Sequence, residues 1–239
     1  MRGCLFTLVL GLAVLVGAAW YLLPAAAGAL IGVALVAAGL HGTGTVVTVT
    51  ATPPFELLSG HADAVQVEST DATWDGLAIG DLRLVLVDVG LGTRSAGRVE
   101  ATLSAVRFSG SDGRPIEAER VEVAGSGNAP TARLVFDPAV VVGMASAAIE
   151  AETGRSPDRL QFAPPDQVAF VLLGRSVSGR LAVDRAGELV LRVAGRSPNV
   201  VLAPGPDSPF RLADVTVTAD GQLVLGGSLD LRALGLLGG

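Results

Sequence analysis

LAIGDLRLVLVDVGLGTRSAGRVEATLSAVRF, residues 77–108, alternates apolar and polar side chains over two long runs. In Leu77–Val89, Leu82, Leu84 and Leu86 share one face while Arg83, Val85 and Val87 share the other, the period of a strand with one face turned to a core. Gly80-Asp81 predicts a break or bulge in it. Gly90-Leu91-Gly92 looks like the start of a dinucleotide motif, but no helical pattern follows, so it reads as a turn. In Val99–Phe108, Val99, Ala101 and Leu103 oppose Arg98, Glu100, Thr102 and Ser104, and the apolar parity then moves to Val106 and Phe108. A change of parity within a strand predicts a bulge near Ala105.

The same pattern extends in both directions. Upstream, Thr45–Thr52 is β-branched up to Pro53-Pro54, and Ala64–Thr70 alternates before the Asp75-Gly76 turn. Downstream, Pro115–Ala124 and Thr131–Phe136 follow a Ser111-Asp112-Gly113 turn. Residues 138–153 change period. Asp137-Pro138 is an N-cap and N1 pair, Val141, Met144, Ala145, Ala148 and Ile149 recur at helical spacing, and Gly154 can close the end. Seven further strands follow: 158–162, 167–173, 179–184, 188–193, 199–202, 210–218 and 222–231, with Asp220-Gly221 as the last hairpin turn. The layout is helix, strands, helix, strands, a coarse duplication in which each half continues as an antiparallel meander. It predicts a mainly β, α+β domain whose strongly curved antiparallel sheet wraps a helix.

The amino end is different. Residues 4–23, CLFTLVLGLAVLVGAAWYLL, are an apolar run of 20. As a helix it is about 30 Å long, the thickness of a bilayer's hydrocarbon core. Trp20 and Tyr21 lie at its outer end, and Arg2 precedes it, which puts the remainder outside the cytoplasm. The run reads as a single-pass anchor in the cell membrane, so that residues 1–23 are the anchor and 24–239 one exported domain. Its rival is a secretory signal cleaved near Ala27, leaving a secreted or periplasmic domain. Residues 24–40 are apolar and rich in small side chains, which predicts a short helix ended by Gly39 or Gly42 and packed closely on the sheet.

Composition removes several functions. The chain has a net charge of −6 and 17 basic residues, all of them arginine. Without basic clusters, nucleic acid is not expected as a partner. Seven Phe, two Trp and one Tyr are too few for a stacking platform. The single cysteine, Cys4, excludes an internal disulfide and a cysteine zinc site. HExxH, CxxC, GxSxG and Walker patterns are missing from the sequence, and no cofactor, metal or catalytic residue is expected. His61 near Asp63 reads as a surface histidine rather than half of an acid–base pair. Asp71 and Asp75 lack the remainder of a calcium loop, and Trp74 reads as a core or rim residue.

VTATPPFELLSGHADAVQV (49–67) and LAIGDLRLVLVDV (77–89) together resemble the LmeA-like family of exported phospholipid-binding proteins of mycobacteria and related actinobacteria. The resemblance is carried by Pro54, Phe55, Leu57, Leu58, Gly60, Asp63, Val65, Val67, Gly76, Leu77, Leu82, Asp88 and Val89. FRLADVTVTADGQLVLGG (210–227) looks like the family's last hairpin. The sequence departs from the family in 24–40, which lacks a charged helix face. What the resemblance implies is a tubular lipid-binding fold with an apolar channel for acyl chains. The expected lining is Phe55, Leu58, Leu82, Leu84, Leu86, Val141, Met144, Ala145, Ala148 and Ile149. The implied function is non-enzymatic carriage or sensing of phospholipid in the cell envelope. The alternative is a structural or interaction protein with a filled core and no ligand; protein partners are not named by any motif.

Overall fold

The computed structural model describes residues 22–74, 76–109, 113, 115–127, 129–204 and 210–230. The apolar run up to residue 21, with Cys4, and the turn residues Asp75, Ser111 and Asp112 lie outside the described residues. Among the described residues no helix is long and apolar enough to cross a membrane.

A helix, α1, covers residues 22–37, and thirteen strands follow. β1 (His41–Thr50), β2 (His61–Trp74), β3 (Leu77–Gly90), β4 (Ser95–Ser109), β5 (Pro115–Ser126) and β6 (Ala129–Phe136) form an antiparallel meander. A 3-10 helix, η1 (Pro54–Ser59), joins β1 to β2. After α2 (Pro138–Thr153) come β7 (Asp158–Ala163), β8 (Gln167–Leu172), β9 (Arg175–Val183), β10 (Leu189–Val193) and β11 (Asn199–Leu202), which make a second antiparallel sheet of five strands. The last hairpin, β12 (Phe210–Val217) and β13 (Leu223–Leu229), does not extend that sheet. β13 pairs with β6, so the first sheet has eight strands in the order β1-β2-β3-β4-β5-β6-β13-β12. The expected division into two meandering halves is corrected by this return. Leu223 and Leu225, both sealed from solvent, oppose Phe136 and Leu134 of β6, and this apolar match draws the hairpin back.

Two transverse lines cross neighbouring strands of the eight-stranded sheet, the first β2 to β4 and the second β3 and β4. Along the first, the buried positions of β2 change from Val65, Val67 and Ser69 to Ala72 and Trp74. Those of β3 change from Leu82 and Leu84 to Ile79, and those of β4 from Val99 to Val106. Each strand carries one extra residue at the line, Asp71 (φ 47°) in β2 and Ala105 (φ 49°) in β4, with Gly80 between them. Because neighbouring strands add their residues opposite one another, the ladder stays in register on both sides. A Cβ on Gly80 would lie 3.0 Å from Ala105 Cβ, so glycine allows this close approach. The expected break at Gly80-Asp81 and the expected bulge at Ala105 are thus one feature, a crease where the strands turn over together. A second crease lies at Asp88 (φ 56°) and Gly97.

α2 covers the expected 138–153, whereas α1 runs over 22–37 rather than the expected 24–40. Gly28 of α1 meets β1 so closely that a Cβ there would be 2.8 Å from the Val47 carbonyl oxygen. Ile31 and Leu35 continue the contact, and Gly39 (φ 90°) ends the helix while Leu40 N–H donates to the Leu35 carbonyl. Asp137 caps α2 by accepting the Ala139 N–H at 2.7 Å, and Gly154 (φ 69°) closes it. Asp137→Ala is expected to cost about 0.5–2 kcal/mol, read as a lowered denaturation midpoint with an unchanged slope.

Candidate functional site

The inner face of the eight-stranded sheet is built by alternation. One row runs across every strand as Val47, Val67, Leu84, Ala101, Val123, Ala132, Gly227 and Leu212, each opposite the next. The adjacent row passes through Ser69, Leu82, Leu103, Val121, Leu134 and Leu225. Charges stand on the opposite face of the sheet. Arg83 faces Glu68 at 3.8 Å, Arg107 faces Glu117 at 3.9 Å, Arg120 faces Glu122 at 3.6 Å, and Arg98 pairs with Glu100. These pairs are exposed, so they order the surface more than they stabilise it.

The inner face is apolar but unevenly sealed. Val67, Val99, Val106 and Ala118 are buried, whereas Leu86, Ala101, Leu103 and Val121 in the middle of the sheet are only half-buried. Among the described residues Ser69 is the one buried polar side chain, and its hydroxyl is 2.8 Å from that of Thr45. A surface of this kind can shelter hydrocarbon.

The expected lining residues fall into three groups. Leu82, Leu84 and Leu86 lie together on the inner face. Val141, Ala145 and Ile149 are sealed on α2, which packs on β11 and β7 of the second sheet, with Met144 and Ala148 half-buried beside them. Phe55 and Leu58 are on neither surface: they stand out from η1, 64% and 75% exposed. Alternation already puts Ala101 and Leu103 on the inner face. That they and Val121 are only partly buried is set by what covers the sheet, which no periodicity reports.

Other groups are less organised. His61 Nδ1 is 3.8 Å from Asp88 Oδ1 and its Nε2 is 4.0 Å from Asp63 Oδ1, both beyond hydrogen-bond distance. Glu56 approaches the same cluster, with donor atoms of Glu56, His61 and Asp63 within 4.8 Å of one another, all partly exposed. Trp74 is buried in the core, and Asp71 is the left-handed residue of the first crease rather than a loop ligand. On the second sheet an open depression of about 800 Å3 is lined by Phe162, Val168 and Leu181 together with Asp166, Arg180 and Arg192. Asp166 and Arg180, both in its lining, lie 4.0 Å apart as an ion pair.

Comparison of the chain with models of protein families, with curated proteins and with solved structures gives no match.

Proposed function

We propose that the chain is a non-enzymatic phospholipid-binding protein of the cell envelope, a carrier or sensor, anchored in the membrane by residues 4–23. Acyl chains lie against the inner face of the eight-stranded sheet, which bends at its two creases into a partial tube flanked by α1. The observation that carries this reading is the apolar centre of that face, where Leu86, Ala101, Leu103 and Val121 pack against the core yet are only partly buried. Apolar surface left open to water in the middle of a sheet is costly unless something covers it. A 16-carbon chain has the complementary problem, since its exposure to water costs on the order of 12 kcal/mol at about 0.8 kcal/mol per methylene. Each covers the other without any bond being made or broken. The sequence resemblance to the LmeA-like proteins supports the same reading.

The test uses residues 22–239, which keep α1 on β1, produced without detergent. Phospholipid is expected to co-purify and to be found by mass spectrometry. A fluorescent acyl probe is expected to bind saturably after delipidation. A folded fragment with no lipid and no probe uptake would leave the structural alternative, a filled core that presents a surface to another envelope component.

A further inference from the structure

The exposed position of Phe55 and Leu58 needs its own explanation. η1 is a 3-10 helix, with three residues per turn, so residues three apart lie above one another. Pro54 is buried and Leu57 half-buried against the core, which makes one side of η1 the inward side. Glu56 and Ser59 share a second side, where the Ser59 hydroxyl donates to the Glu56 carbonyl at 2.7 Å. Phe55 and Leu58 share the third, and it faces solvent.

The location of η1 says what meets that side. α1 runs antiparallel to β1: Gly28 lies against Val47 and Val49, while Gly39 lies near Trp74. From Gly28 back to Leu22 the helix rises about 9 Å. Leu22, itself 66% exposed, therefore lies toward the Thr50 end of β1, from which the chain runs on into η1. Residues 4–21 join the domain at this point. The apolar run of 20 residues and the apolar side of η1 thus leave from the same end of the eight-stranded sheet.

We propose that η1 is a membrane-contact element. Phe55 and Leu58 enter the interfacial layer of the bilayer that holds residues 4–23, and so keep this end of the sheet, and the edge of its inner face, against the lipid. The proposal rests on reading 4–23 as a retained anchor. The contact is apolar, carried by Phe55 and Leu58, and Glu56 beside them on η1 is acidic. Zwitterionic lipid therefore suffices.

The test uses the full chain carrying Cys4→Ser, with single cysteines introduced as Phe55→Cys, Leu58→Cys or, as a control, Leu173→Cys, which is 67% exposed in the parent on the β8–β9 turn. Each is labelled with an environment-sensitive fluorophore and reconstituted into phosphatidylcholine vesicles with or without lipid bearing a spin label near its head group. Circular dichroism matching the parent shows that the labelled chains are folded. Flotation with the vesicles reports the anchor, and quenching reports the contact. Labels at 55 and 58 are expected to shift to the blue and be quenched by the spin-labelled lipid, and the label at 173 to do neither. Chains that float with 55 and 58 unquenched overturn the contact and leave the anchor standing. A blue shift insensitive to the spin label assigns the patch to protein, such as a second copy of this chain, and also overturns it. Equal quenching at 173 shows unspecific adsorption and overturns it too. Chains that do not float remove both readings.

Discussion

Phe136→Ala should lower the unfolding free energy by about 3–5 kcal/mol, the cost of removing a buried aromatic ring from a core that only partly collapses around the space. Phe136 is fully sealed and lies at the end of β6, opposite Leu223 of the returning hairpin. The next residue caps α2, and the Gly221 turn stands against Pro138. Phe136 therefore lies where the eight-stranded sheet, the start of α2 and the β12–β13 hairpin meet. Domains are stable by about 5–15 kcal/mol, so this loss is a large share of the whole. At about 2–4 °C per kcal/mol for a domain of this size, the melting temperature should fall by roughly 10 °C. In residues 22–239 the sole tryptophan is Trp74, buried in the core, and its fluorescence reports unfolding directly. Leu173→Ala, at an exposed turn, is the matched control and should stay within about 0.5 kcal/mol of the parent. A Phe136→Ala protein as stable as that control would mean that the hairpin does not depend on this contact.

Local signals in the sequence were read well because they are local. The Asp137-Pro138 pair and Gly154 give α2 its observed ends. The parity change after Leu103 gives the position of the first crease, since each strand records its own facing in its own side chains. The second crease was not legible. It falls where Asp88 and Gly97 meet near strand ends, and no run of alternation is long enough there to show a switch. Nor was the return of β12–β13 to the first sheet. Leu223 and Leu225 are suitable neighbours for many apolar strands, and pairing over such a separation is decided by the assembled sheet. The candidate site divides in the same way. Alternation gives the composition of the inner face, as with Leu82, Leu84 and Leu86. It could not show that Phe55 and Leu58 stand outside it, because η1 is too short to have a readable period and Pro54 and Leu57 take its inward side.

Tryptophan substitutions at two apolar positions should behave in opposite ways if the inner face receives acyl chains. Ala145 is fully sealed on α2 against the second sheet. A ring there has nowhere to go, and Ala145→Trp should cost about 1–3 kcal/mol or more through overpacking, while probe uptake per folded molecule is kept. Leu103 is half-buried between Leu82 and Val121 in the open centre of the face. Leu103→Trp can place its ring in the space proposed for a chain. Stability of the delipidated protein should then change little, and uptake of the acyl probe should be lost. Ala148→Trp, half-buried on α2, tests whether that helix also borders the ligand: uptake falls if it does, and only stability changes if it does not. Melting curves and probe titrations on the same preparations separate the two quantities. If Leu103→Trp loses stability as Ala145→Trp does, with uptake per folded molecule intact, the inner face is ordinary core. Lipid binding would then have to be sought elsewhere on the molecule, with the open depression on the second sheet that Asp166 and Arg180 help to line the next place to probe.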